Sequence, residues 1–241
     1  MANEKLIYQE SFKIRASEVN IHQKATLPAI CELLQEVAGN HARQLRFDIT
    51  DLQQDKLTWV LHRLRIEMDE FPNWRDTITI KTWPSGGDGL RAHRDFLILD
   101  SENNIIGKSL SYWLILDIES RRPKRIPKSI LESVPKQSEH VLPVNEGNFR
   151  NIEHPQGTQL FAVRKSDLDL NQHVNNVRYI EWGLACLPEE KVKSVLDIKF
   201  TGEAGLGDTV LVLSTDNNQG GCYFEIRNQE NQQTLVLAQT K

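Results

Sequence analysis

Cysteine is scarce in this chain: Cys31, Cys186 and Cys222 are the three among 241 residues, far apart and odd in number. That spacing argues against a disulfide framework and against a zinc site, and it fits a reducing compartment. The histidines (His22, His41, His62, His93, His140, His154 and His173) are scattered singly, so no metal is implied, and no organic cofactor either. Long apolar runs are missing, which excludes a transmembrane helix and stable membrane insertion. The opening MANEKLIYQESFKIR alternates charged and apolar residues, without the apolar stretch of a signal peptide or the length of a plastid transit peptide. The expectation is a cytoplasmic protein of bacterial origin. Basic residues are not in excess: 29 Lys and Arg stand against 33 Asp and Glu, a formal charge of −4, which argues against bulk nucleic-acid affinity. The glycine-rich run Ser85-Gly86-Gly87-Asp88-Gly89 lacks the lysine and following helix of a phosphate loop, so nucleotide binding is not expected.

What is present is an ordinary globular composition, 39% hydrophobic and 26% charged, long enough for one large domain or two of about 120 residues. The chain also echoes itself, and such an echo decides architecture. In the first half Ser17-Glu18-Val19-Asn20-Ile21-His22-Gln23 leads into LPAICELLQEVAGNHARQL, where Leu27, Ile30, Leu34, Val37 and Ala38 keep helical spacing. Thr26 is placed as its N-cap, with Pro28 in the first turn. In the second half Ser166-Asp167-Leu168-Asp169-Leu170-Asn171-Gln172-His173 leads into VNNVRYIEWGLACL, with Val177, Ile180, Leu184 and Leu187 on one face. Each helix precedes four β-branched or alternating runs joined by hairpin-length turns such as Pro84-Ser85-Gly86-Gly87 and Asn103-Asn104. Short loops of this kind join antiparallel strands, not parallel ones. The spacing therefore predicts an α+β class with two copies of one unit, each a long helix covering one face of a curved antiparallel sheet. Expected boundaries are 1–140 and 150–241, with a linker over about 120–157 rich in proline and low in periodicity. That linker holds the densest basic cluster, Arg121, Arg122, Lys124, Arg125 and Lys128, readable as a solvated face or as a docking patch for an acidic partner.

Asp167-Leu-Asp169-Leu-Asn171-Gln-His173-Val-Asn175-Asn176 concentrates carboxylates, amides and an imidazole just before the second helix. One such residue suffices to cap a helix. The surplus points to chemistry, because a helix start also offers free N–H donors and positive potential to an oxyanion.

The run RKSDLDLNQHVNNVRYIEW, with WVLHRLRIEM in the first half, closely resembles the acyl-acyl carrier protein thioesterases of plants and bacteria, and the resemblance extends along essentially the whole chain. The looser pattern Asp169-x-x-x-His173-Val174-Asn175-Asn176-x-x-Tyr179 is also similar to single-domain acyl-CoA thioesterases. The resemblance implies two tandem hotdog domains and hydrolysis of fatty acyl-acyl carrier protein, releasing free fatty acid and ending fatty acid synthesis. It places the catalytic residues at Asp169, Asn171 and His173. Glu203 matches the family's functional glutamate within Phe200-Thr201-Gly202-Glu203-Ala204-Gly205, where Ala204 stands in place of a cysteine, so hydrolysis here proceeds without a thiol at that position. Cys186 and Cys222 fall outside the motif and read as packing residues.

In the first half the matching segment is Asn20-Ile21-His22-Gln23-Lys24, in which the carboxylate is gone and lysine replaces histidine. One active site per chain follows, with the first copy expected to form the acyl pocket. Ile30, Leu34, Val37, Trp59 and Leu61 are candidates for its lining or for plain core. The expected mechanism is attack by a water that Glu203 and Asp169 orient and deprotonate, with Asn171 and helix-start N–H groups holding the water or the developing oxyanion. His173 either polarises the carbonyl or protonates the leaving thiolate, and covalent attack by Asp169 is the alternative route. Two rival functions are an acyl-CoA thioesterase using the same residues and a non-catalytic acyl-binding protein. Monomer and homodimer are both compatible with this organisation.

Overall fold

The structure is a computed structural model that describes residues 6–132, 139–188 and 194–241. The chain divides into two compact units, Met1–Val144 and Asn145–Lys241. The first contains β1 (Tyr8–Lys13), α1 (Leu27–Gln44), α2 (Ile49–Gln53), β2 (Leu57–Met68), β3 (Thr77–Gly87), β4 (Arg91–Leu99), β5 (Ile105–Asp117), β6 (Pro123–Lys124) and α3 (Lys128–Leu131). Its strands lie in the order β1-β3-β4-β5-β2, with β6 paired to β5. The second contains β7 (Gly157–Ala162), α4 (Asn176–Ala185), β8 (Val195–Phe200), β9 (Thr209–Asp216), β10 (Cys222–Asn228) and β11 (Thr234–Thr240). Their order, β8-β11-β10-β9-β7, is that of the first unit once each strand is replaced by its counterpart. Neighbouring strands within each unit pair antiparallel.

The helices form where the apolar spacing places them. Thr26 caps α1 by accepting the Ala29 N–H at 3.3 Å, and Ile30, Leu34 and Val37 are buried against the sheet side. Burial of each such side chain contributes about 1.5–3 kcal/mol. In the second unit α4 packs on β9 and β10. Gly183 is what lets it approach, because a Cβ there would fall inside the Phe224 ring.

Several details depart from the sequence expectations. Two strands, β1 and β7, precede the helices and were not foreseen. β1 alternates half-buried and exposed residues, β7 is exposed at all but Gly157 and Phe161, and they carry charged or amide residues such as Gln9, Glu10 and Gln159. Pro84-Ser85-Gly86-Gly87 is not a turn but the bulged end of β3, paired with Arg94, His93 and Ala92; the glycines allow this because their φ values are +141° and +156°. Within the stretch read as a linker, residues 123–131 fold onto the first unit. Ile126 and Ile130 are buried there with Leu52 and Ile115. Among the described residues no helix is long and apolar enough to cross a membrane.

Filling the space at Gly183 tests the α4 packing. Gly183→Ala is expected to lower stability by about 1–3 kcal/mol through overpacking against Phe224, read from the midpoint of urea unfolding.

Candidate active site

The site grows out of a turn that occurs twice. In the second unit a short 3₁₀ segment, Lys165–Asp167, precedes it, Leu168 bridges to Val174, and the Asp169 N–H donates to the His173 carbonyl at 2.8 Å. The Asp169 Oδ1 accepts the N–H groups of Asn171 at 2.8 Å and His173 at 3.3 Å. Gln172 sits at φ 64° to close the turn. The first unit repeats each feature: the 3₁₀ segment Ala16–Glu18, the Val19–Ala25 bridge, and Asn20 N–H donating to Lys24 at 2.9 Å. There Asn20 Oδ1 accepts from His22 and Lys24 at 3.0 and 3.1 Å, and Gln23 has φ 62°. Carboxylate and amide oxygens serve this turn equally well.

Side chains tell the copies apart. After the turn, Val174 N–H donates to the Ala204 carbonyl at 3.0 Å, as Ala25 N–H does to Pro72 at 2.8 Å, so Glu203 occupies the place of Phe71. His173 Nδ1 lies 3.5 Å from Glu203 Oε2, with both side chains about one-third exposed. In the first unit the Lys24 ammonium, at the histidine's place, donates to the Phe71 backbone carbonyl at 3.1 Å. The second copy therefore sets an imidazole beside a carboxylate where the first has a tethered ammonium.

Of the residues singled out from sequence, the structure joins Asp169 to the backbone of Asn171 and His173, and His173 to Glu203. Asn171 is exposed at the tip of the turn, and no hydrogen bond ties its carboxamide to the other three among the described residues. Two residues that the sequence patterns contain without an assigned role contribute as well. The Tyr179 phenolic oxygen accepts the Ala204 N–H at 2.8 Å, fixing the loop that carries Glu203 to α4; burial pushes its phenol well up, so the ring stays neutral. Asn175 caps α4, its Oδ1 accepting from Val177 at 2.9 Å, and its own N–H goes to the Asp167 carbonyl. Most helix-start donors are thereby taken. Over 171–178 the Asn176 N–H is the one without a protein acceptor among the described residues. The cysteines stand apart: Cys222 is buried, and Cys186 is half-buried with its Sγ 3.6 Å from Ser214 Oγ.

A model of the acyl-ACP thioesterase N-terminal domain matches residues 5–134, and one of the acyl-ACP thioesterase C-terminal domain matches residues 152–241. The chain belongs to the acyl-ACP thioesterase family. Among its relatives are the oleoyl-acyl carrier protein thioesterase 1 of Arabidopsis thaliana, 30% identical across 90% of this chain and 66% of that protein. The Coriandrum sativum oleoyl-acyl carrier protein thioesterase is 34% identical across 77% and 55%. The chain thus spans about 55–66% of the length of these curated relatives. Solved structures share the fold. An acyl-ACP thioesterase from Bacteroides thetaiotaomicron superposes with a TM-score of 0.89 at 23% identity, covering 99% of this chain and 98% of that one. The 12:0-ACP thioesterase from Umbellularia californica gives 0.87 at 22%, covering 98% and 96%. The α+β hotdog expectation holds for this family member.

In this family member the turn itself supplies a control on Asp169. Since Asn20 supports the same geometry, Asp169→Asn is expected to stay within about 0.5 kcal/mol of the parent, whereas Asp169→Ala, which removes the shared acceptor, loses about 1 kcal/mol. Thermal unfolding of the three proteins checks the difference.

Proposed function

We propose that this protein hydrolyses the thioester of fatty acyl-acyl carrier protein, in the cytoplasm where its free cysteines fit, through one site built on Asp169, Asn171, His173 and Glu203. The observation that carries this reading is the contrast between the copies. The same hydrogen-bonded turn holds a carboxylate and an imidazole–carboxylate pair in the second unit, and an amide and a tethered lysine in the first.

Asp169 Oδ1 is engaged by two backbone donors, and Oδ2 makes no hydrogen bond among the described residues, so it is open to orient a water. Glu203 takes that water's proton as its oxygen bonds to the thioester carbon. The Asn176 N–H at the start of α4, with the Asn171 carboxamide, holds the oxyanion. When the carbon–sulfur bond breaks, the proton passes from Glu203 across the 3.5 Å gap to His173 and on to the departing thiolate. The products are a free fatty acid and the carrier thiol. Asn20 in the first unit leaves that copy to serve the acyl chain, with Leu34 and Leu61, both buried there, as candidates for its lining. Arg121, Arg122, Lys124 and Arg125, all exposed on or beside β6, suit the acidic carrier as a docking surface, although Lys124 also reaches Asp117 at 3.4 Å.

Thiol release from matched acyl carrier protein and coenzyme A esters tests this reading. Glu203→Gln is expected to cut kcat by about 10²–10⁴, with Asp169→Asn comparably impaired despite its intact fold. A preference for the coenzyme A esters would shift the carrier assignment, and no cleavage of either would sink the enzymatic reading. For docking, Arg122→Glu with Arg125→Glu is expected to raise KM for the carrier protein substrate several-fold and to flatten its salt dependence, leaving coenzyme A esters unaffected.

A further inference from the structure

Tyr179 makes a bond in the second unit that the shared turn does not require. It lies one turn into α4, beyond the Asn175 cap, and is 1% exposed. Its phenolic oxygen accepts the N–H of Ala204, which is also 1% exposed, at 2.8 Å. The ring is held on two sides, edge-on to Trp182 at 5.6 Å and tilted against Phe200, the last residue of β8, at 6.4 Å. Burial, together with the negative charge of Glu203, Asp208 and Asp169, keeps the phenol protonated. Glu203 immediately precedes Ala204, and its Oε2 lies 3.5 Å from His173 Nδ1.

The first unit shows what the fold does without this bond. Ala25 N–H goes to the Pro72 carbonyl as Val174 N–H goes to that of Ala204, so Pro72 corresponds to Ala204. Counted from the caps Thr26 and Asn175, Ile30 corresponds to Tyr179. Both ends of the bond are therefore replaced: isoleucine carries no hydroxyl, and proline has no N–H to donate. The loop nevertheless keeps its shape. Asp76 Oδ2 accepts the Asn73 N–H at 2.8 Å where Asp208 Oδ2 accepts that of Gly205 at 2.9 Å, and Arg75 and Gly207 both take positive φ, 74° and 91°. Since the backbone closes in the same way in the two units, the tyrosine bond is not a requirement of the fold. The loops differ in the residue ahead of the proline or alanine. Phe71 is half-buried, and an apolar side chain of that size anchors its own backbone. A carboxylate keeps part of its surface in water, so the loop that carries Glu203 takes its anchor from another element.

We infer that Tyr179 is a positioning residue for the hydrolysis: by holding the Ala204 N–H, it fixes the backbone from which Glu203 reaches His173. The inference rests on the site proposed above for its chemistry, and on the Tyr179 bond for its geometry. Tyr179 acts through Glu203 alone, and a misplacement of about 1 Å in a reacting group costs about 10²-fold in rate.

Tyr179→Phe keeps the ring and removes the acceptor. In thiol release from acyl carrier protein esters it is expected to lower kcat about 10–10²-fold, with KM within about twofold of the parent. Loss of the hydrogen bond is expected to lower Tm by about 2–4 °C, so assays well below both transitions compare folded proteins. In a Glu203→Gln background the same substitution is expected to cost less than about twofold, because the group it positions is already gone. An unchanged kcat, a loss confined to KM, or an equal loss in both backgrounds overturns the proposal. The His173 ring, observed by NMR at fixed pH, gives a readout that needs no turnover. Its nitrogen resonances in Tyr179→Phe are expected to move from the wild-type positions toward those in Glu203→Gln; resonances that stay in place overturn the proposal as well. If the wild type cleaves no ester while the resonances move in this way, the thioesterase reading fails and the Tyr179 anchor survives.

Discussion

One short-range interaction underlies both halves of this molecule. A side-chain oxygen at the head of a tight turn, from Asn20 in one unit and Asp169 in the other, gathers two backbone N–H groups within the next four residues. That pair of bonds holds Gln23 and Gln172 in the left-handed region, an expensive conformation for a non-glycine residue that persists only where surrounding bonds enforce it. With the turn closed, the chain is delivered to the N-cap of α1 or α4 at a fixed angle. The loop after β2 or β8 is then drawn in by a backbone bond to Pro72 or Ala204. Helix, turn and loop are one hydrogen-bonded unit, and whatever side chains sit on it inherit its precision.

This separation of scaffold from chemistry explains how two copies can share a fold and differ in use. The backbone asks only for an acceptor oxygen at Asn20 or Asp169; whether it belongs to an amide or a carboxylate is of no consequence to folding and of large consequence to a thioester. The same holds one step further on, where Lys24 and His173 both reach the neighbouring loop. Lysine ends in a donor satisfied by a carbonyl, whereas histidine meets a carboxylate that can exchange a proton with it.

Much of this was legible in the residues and some was not. The helices were visible because apolar spacing and a capping threonine agree over Leu27–Gln44. The paired halves were visible because the turn motif repeats around Asn20 and Asp169. Edge strands β1 and β7 are hard to see in the sequence because half or more of their residues are exposed and their polar content suits a loop as well as a strand. The segment holding β6 and α3 was read as a linker from its prolines and arginines, although Ile126 and Ile130 anchor it in a small core. Among the site residues, side-chain identity marked Asp169, Asn171, His173 and Glu203. Tyr179 belongs to the motif, but its role is not legible there, because the phenol accepts a backbone N–H from a residue 25 positions away.

The correspondence between the two turns also bears on how such a chain changes over generations. To give the first unit the set proposed as catalytic in the second, Asn20, His22, Lys24 and Phe71 would have to become aspartate, asparagine, histidine and glutamate together. Each replacement alone yields an incomplete set that performs no chemistry, so selection has no gradient to follow back. A duplicated domain of this design behaves as a ratchet. Under the proposed division of labour, the copy without the carboxylates keeps its turn and its fold, and the reaction stays with the other half.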